Sequence, residues 1–156
     1  MNHQQYTRGM LISQGGAGGS VVFQYNPYEW DIEKSVDWKE VPAAGREQGY
    51  LEYGCGHPRK VTLNIEVSKD CNSEYFVVGF FEAIMSMTRP SSVGMGANRP
   101  GTVQFIMGAS FSMTAIIEKV KIRFAPRKGG NGFYMADPTT LLPKEGTVIV
   151  HLAEYI

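Results

Sequence analysis

The stretch from Val21 to Trp38, VVFQYNPYEWDIEKSVDW, limits the folds open to this chain more than any other. An apolar strand, with Val21, Phe23 and Tyr25 on one face, breaks at Asn26-Pro27. A second strand then runs from Trp30 to Trp38. Trp30, Ile32, Val36 and Trp38 fall on one face, and Asp31, Glu33, Ser35 and Asp37 on the other. Successive strand side chains point to opposite sides, so this is the layout of a half-covered sheet. Lys34 interrupts the apolar face. Either that face is only partly covered, or the lysine stem lies along it with its ammonium in water.

The same period recurs down the chain. Tyr50 to Tyr53 reads as a short strand, punctuated afterwards by Gly54, Gly56 and Pro58. Lys60 to Val67 is the cleanest, with Val61, Leu63, Ile65 and Val67 on one side. Thr102 to Met107 follows, then a tight connection at Gly108 to Ser110, a long strand from Phe111 to Phe124, and a last strand from Thr147 to Tyr155. In the long strand the apolar face shifts from Phe111, Met113, Ala115 and Ile117 to Val120, Ile122 and Phe124. Lys119, Lys121 and Arg123 lie opposite. A change of face within one strand predicts a β-bulge at residues 116–118. The segments 41–49, 91–101 and 127–143 read as loops.

One helix interrupts these strands, from Ser73 to Met87, with Asn72 or Ser73 as its cap, Glu74 at its positive end and Arg89-Pro90 as its stop. Tyr75, Phe76, Val77, Val78, Phe80, Phe81, Ala83, Ile84, Met85 and Met87 leave it almost no polar face. A helix that apolar is expected to be buried on more than one side, against its own sheet and against a neighbouring subunit. The sum is a mainly β (α+β) fold: an antiparallel β-sandwich or open barrel of about seven strands with one inserted apolar helix. Residues 1–19, ending in GGAGG, are expected to form a flexible arm, and residues 20–156 a single domain.

At 156 residues the chain can bury about 70% of its unfolded surface and needs no disulfide or metal staple. Fifteen basic residues balance fifteen acidic ones, so no electrostatic footprint for wrapping nucleic acid is present. No apolar run reaches the roughly 20 residues that span a bilayer, and the N-terminus lacks a signal peptide's apolar core. Folding in a cytoplasm is the expectation, without membrane insertion. Cys55 and Cys71 flank a strand of about 26 Å, too far apart for a bond, and are expected to be reduced.

Motifs for chemistry are thin. GGAGG lacks the Lys-Ser/Thr of a phosphate loop. Cys55-x-His57 is half a metal site, but a site needs three or four convergent ligands; Cys71 lies beyond the strand and His151 is remote. No nucleophile elbow accompanies His3 or His151. Asp31, Glu33 and Asp37 read as a solvated strand face. Lys119, Lys121 and Arg123 form a basic stripe whose aromatics fall on the opposite face, unlike a single-stranded nucleic-acid platform. A solvated face, or one that bridges to an acidic neighbour, remains. No catalytic residue, cofactor or metal is expected, and the chain is not read as an enzyme.

The order of these signals is similar to a known family. An N-terminal strand enters FQYNPYEW, and an acidic strand with tryptophan follows. YLEYGCGHPRKVTLNIEV then feeds a glycine-rich turn into a strand. An apolar helix closes in Arg89-Pro90, VQFIMG and the long IIEKVKIRF follow, and VIVHLAEY ends the chain. Asn26-Pro27, Gly54 to Pro58, Arg99-Pro100 and Gly108 fall in the same order as in the tube-type domain of contractile injection systems and of phage tail and baseplate hub proteins, which residues 20–156 resemble. Trp30 and Trp38 belong to the same pattern. The resemblance implies a structural subunit of a homo-oligomeric ring, a hexamer, found in a virion tail or injection particle and assembled in the host cytoplasm. Its station is tube, tube initiator or tube-to-spike adaptor. Its partners are neighbouring tube and baseplate hub or spike proteins. DNA or cargo passes through the lumen without sequence-specific binding. Phe76, Phe80, Phe81 and Ile84, with Lys119, Lys121 and Arg123, are the expected subunit-interface residues. The alternative is a β-sandwich ligand- or carbohydrate-binding module with Tyr25, Tyr28, Trp30 and Tyr134 as its platform.

Overall fold

The structure, a computed structural model, describes residues 8–14, 19–27, 29–68, 76–90, 100–124 and 145–156. In chain order these form β1 (Met10–Ser13), β2 (Ser20–Val22), β3 (Trp30–Glu33), β4 (Val36–Val41), β5 (Tyr50–Gly56), β6 (Lys60–Ser68), the helix α1 (Phe76–Ser86), β7 (Val103–Met107), β8 (Phe111–Arg123) and β9 (Glu145–Glu154). The protein is mainly β, and every strand pair is antiparallel. Seven strands make one sheet in the order β2-β1-β7-β8-β9-β6-β3, and β4 and β5 form a separate ribbon.

Period-two alternation explains the sheet's inner face. Val61, Leu63, Ile65 and Val67 of β6 pack beside Val148, Val150 and Leu152 of β9, and all are buried. In β8, Met113 and Ala115 are buried, and the register then slips between Ile117 and Lys119. The bulge expected at residues 116–118 is this slip. It leaves Val120 and Ile122 packed against the core while Lys119, Lys121 and Arg123 face out. Gly108, with φ of 66°, makes the turn from β7 to β8, a backbone region that suits glycine.

The sheet curls into an open barrel. Trp30, on the edge strand β3, meets Phe105 of β7 and Phe111 of β8 edge-on, with centroids 5.9 and 5.2 Å apart. Those strands stand four and three places away in the sheet, so only strong curvature brings the rings together. Residues 23–27 follow β2 and lead away from that edge of the sheet. Phe23 is buried there, Gln24 Oε1 accepts a hydrogen bond from the Ser68 amide at 2.8 Å, and Asn26 Oδ1 accepts one from Gly9 N at 2.8 Å. β2 thus ends at Val22, short of the strand expected to run through Tyr25 to Asn26-Pro27, and the Asn26 side chain pins the lead-in to β1. The helix packs on β2, β6 and β9.

Several expectations are corrected here. Residues 1–19 are not a flexible arm throughout: β1 pairs with both β2 and β7, and its Leu11 is in the core. The strand expected from Trp30 to Trp38 is two strands in different sheets, broken at Lys34-Ser35, with Trp30 half-buried and Trp38 58% exposed. The shared face inferred from alternation is lost at that break. The helix is also sheltered by its own protomer. Val77, Phe80, Phe81, Ile84 and Met87 form one buried stripe at helical spacing, and the other side carries Gly79, Glu82 and Ser86. Phe80, Phe81 and Ile84 are core residues of the protomer and not a surface for a neighbour. Their apolar run had no polar face to reveal it, because glycine, alanine and methionine occupy much of the outer side.

Asn72, Ser73, Glu74, Cys71, the side chain of Phe76, Arg99, the loop from Arg127 to Pro143, Tyr28 and Tyr134 lie outside the described residues. Among the described residues no helix is long and apolar enough to cross a membrane.

Candidate functional site

The ribbon of β4 and β5 stands apart from the barrel, and nearly all its residues are exposed. Its pairs run Val41↔Tyr50, Glu40↔Leu51, Lys39↔Glu52 and Trp38↔Tyr53. Directly opposed residues share a face. One face thus carries Trp38, Tyr53 and Leu51, with Glu40 opposite Leu51, and Trp38 and Tyr53 meet edge-on at 5.6 Å. Leu51 is 65% exposed and Tyr53 59%. The other face carries Lys39 and Glu52, opposite one another in register, with Val41 and Tyr50. At the tip, Gly49 is required by close approach: a Cβ there would sit 2.6 Å from the Val41 carbonyl oxygen.

At the ribbon's root the register slips between Val36 and Trp38, leaving Val36 opposite Gly56. This irregularity brings Asp37 against Cys55 and His57. His57 Nε2 lies 2.8 Å from Asp37 Oδ2, and the Cys55 thiol donates to the same oxygen at 3.4 Å. One potential ligand atom from each lies within 4.8 Å of the others. The hydrogen bond from His57, then that from Cys55, holds the Asp37 carboxyl below its ordinary range. The Cys55 thiol is pushed up, chiefly because it donates to that carboxylate. Cys55 is an exposed free thiol.

Gly54, expected to end a short strand, lies inside β5 opposite the slip, where a Cβ would come within 3.2 Å of the Asp37 carbonyl oxygen. Asp37 is the partner that reading along the chain missed. It stands 20 residues from His57, and only hairpin register joins them. That register was available: pairing Val41 with Tyr50 and counting back sets Asp37 opposite Gly54, beside Cys55.

The barrel's outer face carries a second arrangement. Cross-strand register aligns Lys119 with His151, Thr62 and Asp31 across β8, β9, β6 and β3. The basic stripe of β8 and the acids Asp31 and Glu33 of β3 therefore lie on one face, at opposite sides of four strands. Among the described residues, β3 pairs only with β6, and residues 119–123 of β8 pair only with β9. Trp30, offered for a carbohydrate platform, is half-buried and packs against the core.

The chain matches no protein-family model and no curated protein.

Proposed function

We propose that this chain is a structural ring subunit of a phage tail or contractile injection machine, in or next to the baseplate hub, and that its ribbon is the arm by which copies engage. The observation that carries this reading is the exposed apolar face of the ribbon. A two-stranded ribbon is marginal in water when nothing packs on it, and Trp38, Leu51 and Tyr53 form a contiguous surface that a partner can cover. A second copy of the chain supplies the cover. The interface lies on the ribbon and the open strand edges, and the helix stays in the protomer's core. Edge β3, with Asp31 and Glu33, joins the outer half of β8, with Lys119, Lys121 and Arg123, of the next copy. Such a heterologous contact closes into a ring and removes the open edges. In this arrangement polar strand faces line a lumen for DNA or cargo, and neighbouring tube, hub or spike proteins stack above and below.

Size-exclusion chromatography with light scattering, followed by negative-stain imaging, tests the reading. The wild-type chain is expected to give closed rings, and Trp38→Asp and Leu51→Asp folded monomers with unchanged far-ultraviolet circular dichroism. A wild-type chain that stays monomeric at high concentration, alone and with tail extract, would overturn it.

A further inference from the structure

The geometry points to a zinc site at the root of the ribbon, formed by Asp37 of β4, Cys55 of β5 and His57 just beyond it. This inference is independent of the ring reading. Cys55-x-His57 alone supplies two ligands, and the register slip at Val36/Trp38 delivers the third from the opposite strand. Cys55 and His57 are two apart on an extended chain, so they project to the same side.

The distances suit the ion. With zinc bonded at about 2.3 Å to sulfur and about 2.0–2.2 Å to nitrogen and oxygen, tetrahedral donors stand roughly 3.3–3.8 Å apart. The Asp37–Cys55 separation is 3.4 Å and the Asp37–His57 separation 2.8 Å, with all three atoms inside 4.8 Å. Shifts of about 1 Å or less by exposed side chains bring them into range. A thiolate, an imidazole and a carboxylate together favour zinc over magnesium or calcium, which take oxygen donors. Water completes the fourth position, since Asp37 and Cys55 are exposed.

Binding replaces two hydrogen bonds with three metal bonds. The Cys55 proton leaves to solvent, the proton on His57 Nε2 is exchanged through solvent to Nδ1, and Zn²⁺ takes the thiolate, the neutral imidazole at Nε2 and the carboxylate; no electron is transferred. The ion spans both strands at the base of the ribbon, so it ties them together where their register slips.

The test uses the full, untagged chain with CoCl2 and ZnCl2 as the only probes. Cobalt is expected to give a thiolate charge-transfer band and the intense visible bands of a tetrahedral site at about 1:1 stoichiometry, displaced by zinc. Cys55→Ser, His57→Ala and Asp37→Asn are each expected to weaken binding about tenfold or more, with circular dichroism unchanged. In the wild-type chain, zinc is expected to slow amide exchange across residues 36–56 and nowhere else to the same degree. Absence of the charge-transfer band, its persistence in Cys55→Ser, or zinc without effect on ribbon exchange would each overturn the assignment.

Discussion

Arg59 and Glu154 lock the end of β9 to the lead-in of β6 with a two-pronged ion pair. Arg59 Nε donates to Oε2 at 2.9 Å and Nη2 to Oε1 at 2.6 Å, and the Glu154 amide donates back to the Arg59 carbonyl at 2.8 Å. The fork geometry fits guanidinium to carboxylate in a way lysine does not.

That pair gives the fold a directional pH dependence. The Arg59 hydrogen bonds hold the Glu154 carboxyl below its ordinary value. A group whose folded pKa is depressed stabilises the fold above the unfolded value, and the contribution is lost as pH falls through the folded value. Wild type is therefore expected to melt above Glu154→Gln at neutral pH, and the gap to close on acidification below the usual carboxylate range. Thermal midpoints of both proteins across an acid series measure this. A gap independent of pH would remove Glu154 as its source.

Phe80 separates folding from assembly. It is 7% exposed and packs beside Phe81, with ring centroids 6.3 Å apart. An aspartate there must bury a carboxylate or expose the core, so Phe80→Asp is expected to abolish the folded protomer itself. Ile84→Ala, at 0% exposure, is expected to cost about 2–5 kcal/mol by cavity formation. Urea unfolding reads both. Trp38→Asp, on the ribbon, should leave the same unfolding curve nearly unmoved. If Phe80→Asp instead yields a stable monomer, the helix is not a core element of the protomer.

Gly146 and Phe81 meet at a point with no room. A Cβ at Gly146 would lie 2.5 Å from Phe81 Cζ and 3.4 Å from the Arg123 carbonyl oxygen. The ring cannot swing away, because it is buried and also packs on Phe124 at 5.1 Å. Gly146→Ala is expected to destabilise by about 1–3 kcal/mol through overpacking. Gly79→Ala, where a Cβ meets nothing within 4 Å, is the control and should not destabilise. Equal unfolding free energies for the two variants would contradict the packing.

Alternation made most of the barrel legible. β6, β7, β8 with its bulge, and β9 follow from apolar residues two apart, because a buried sheet face fixes which side chains point in. Alternation alone does not say where a strand ends when both halves are polar on one side. That is why Trp30 to Trp38 read as continuous, although Lys34 and Ser35 divide a barrel edge from an exposed ribbon. β1 was hidden for a different reason: MLIS is too short to show a period, and its neighbours are glycines. The Asp37–Cys55–His57 cluster was half visible as Cys-x-His. Its third member depended on long-range register, which motif spacing cannot express.

Charge on the outer face supplies a test of how copies meet. Asp31 and Glu33 lie on the open edge β3, and Lys119, Lys121 and Arg123 on the open half of β8. Within one protomer they are separated by β9 and β6, so they do not neutralise one another by contact. In the proposed ring, edge-to-edge pairing between copies sets them face to face. Asp31→Lys with Glu33→Lys is expected to abolish ring formation, since like charges directly opposed across strands repel. Adding Lys119→Glu and Lys121→Glu to that variant should restore rings by exchanging the signs. Assembly of the singly reversed forms should also recover in part as salt rises to about 1 M, where the screening length falls to roughly 3 Å. Light scattering reads the whole series. Rings that form regardless of which side carries which sign would place the contact elsewhere.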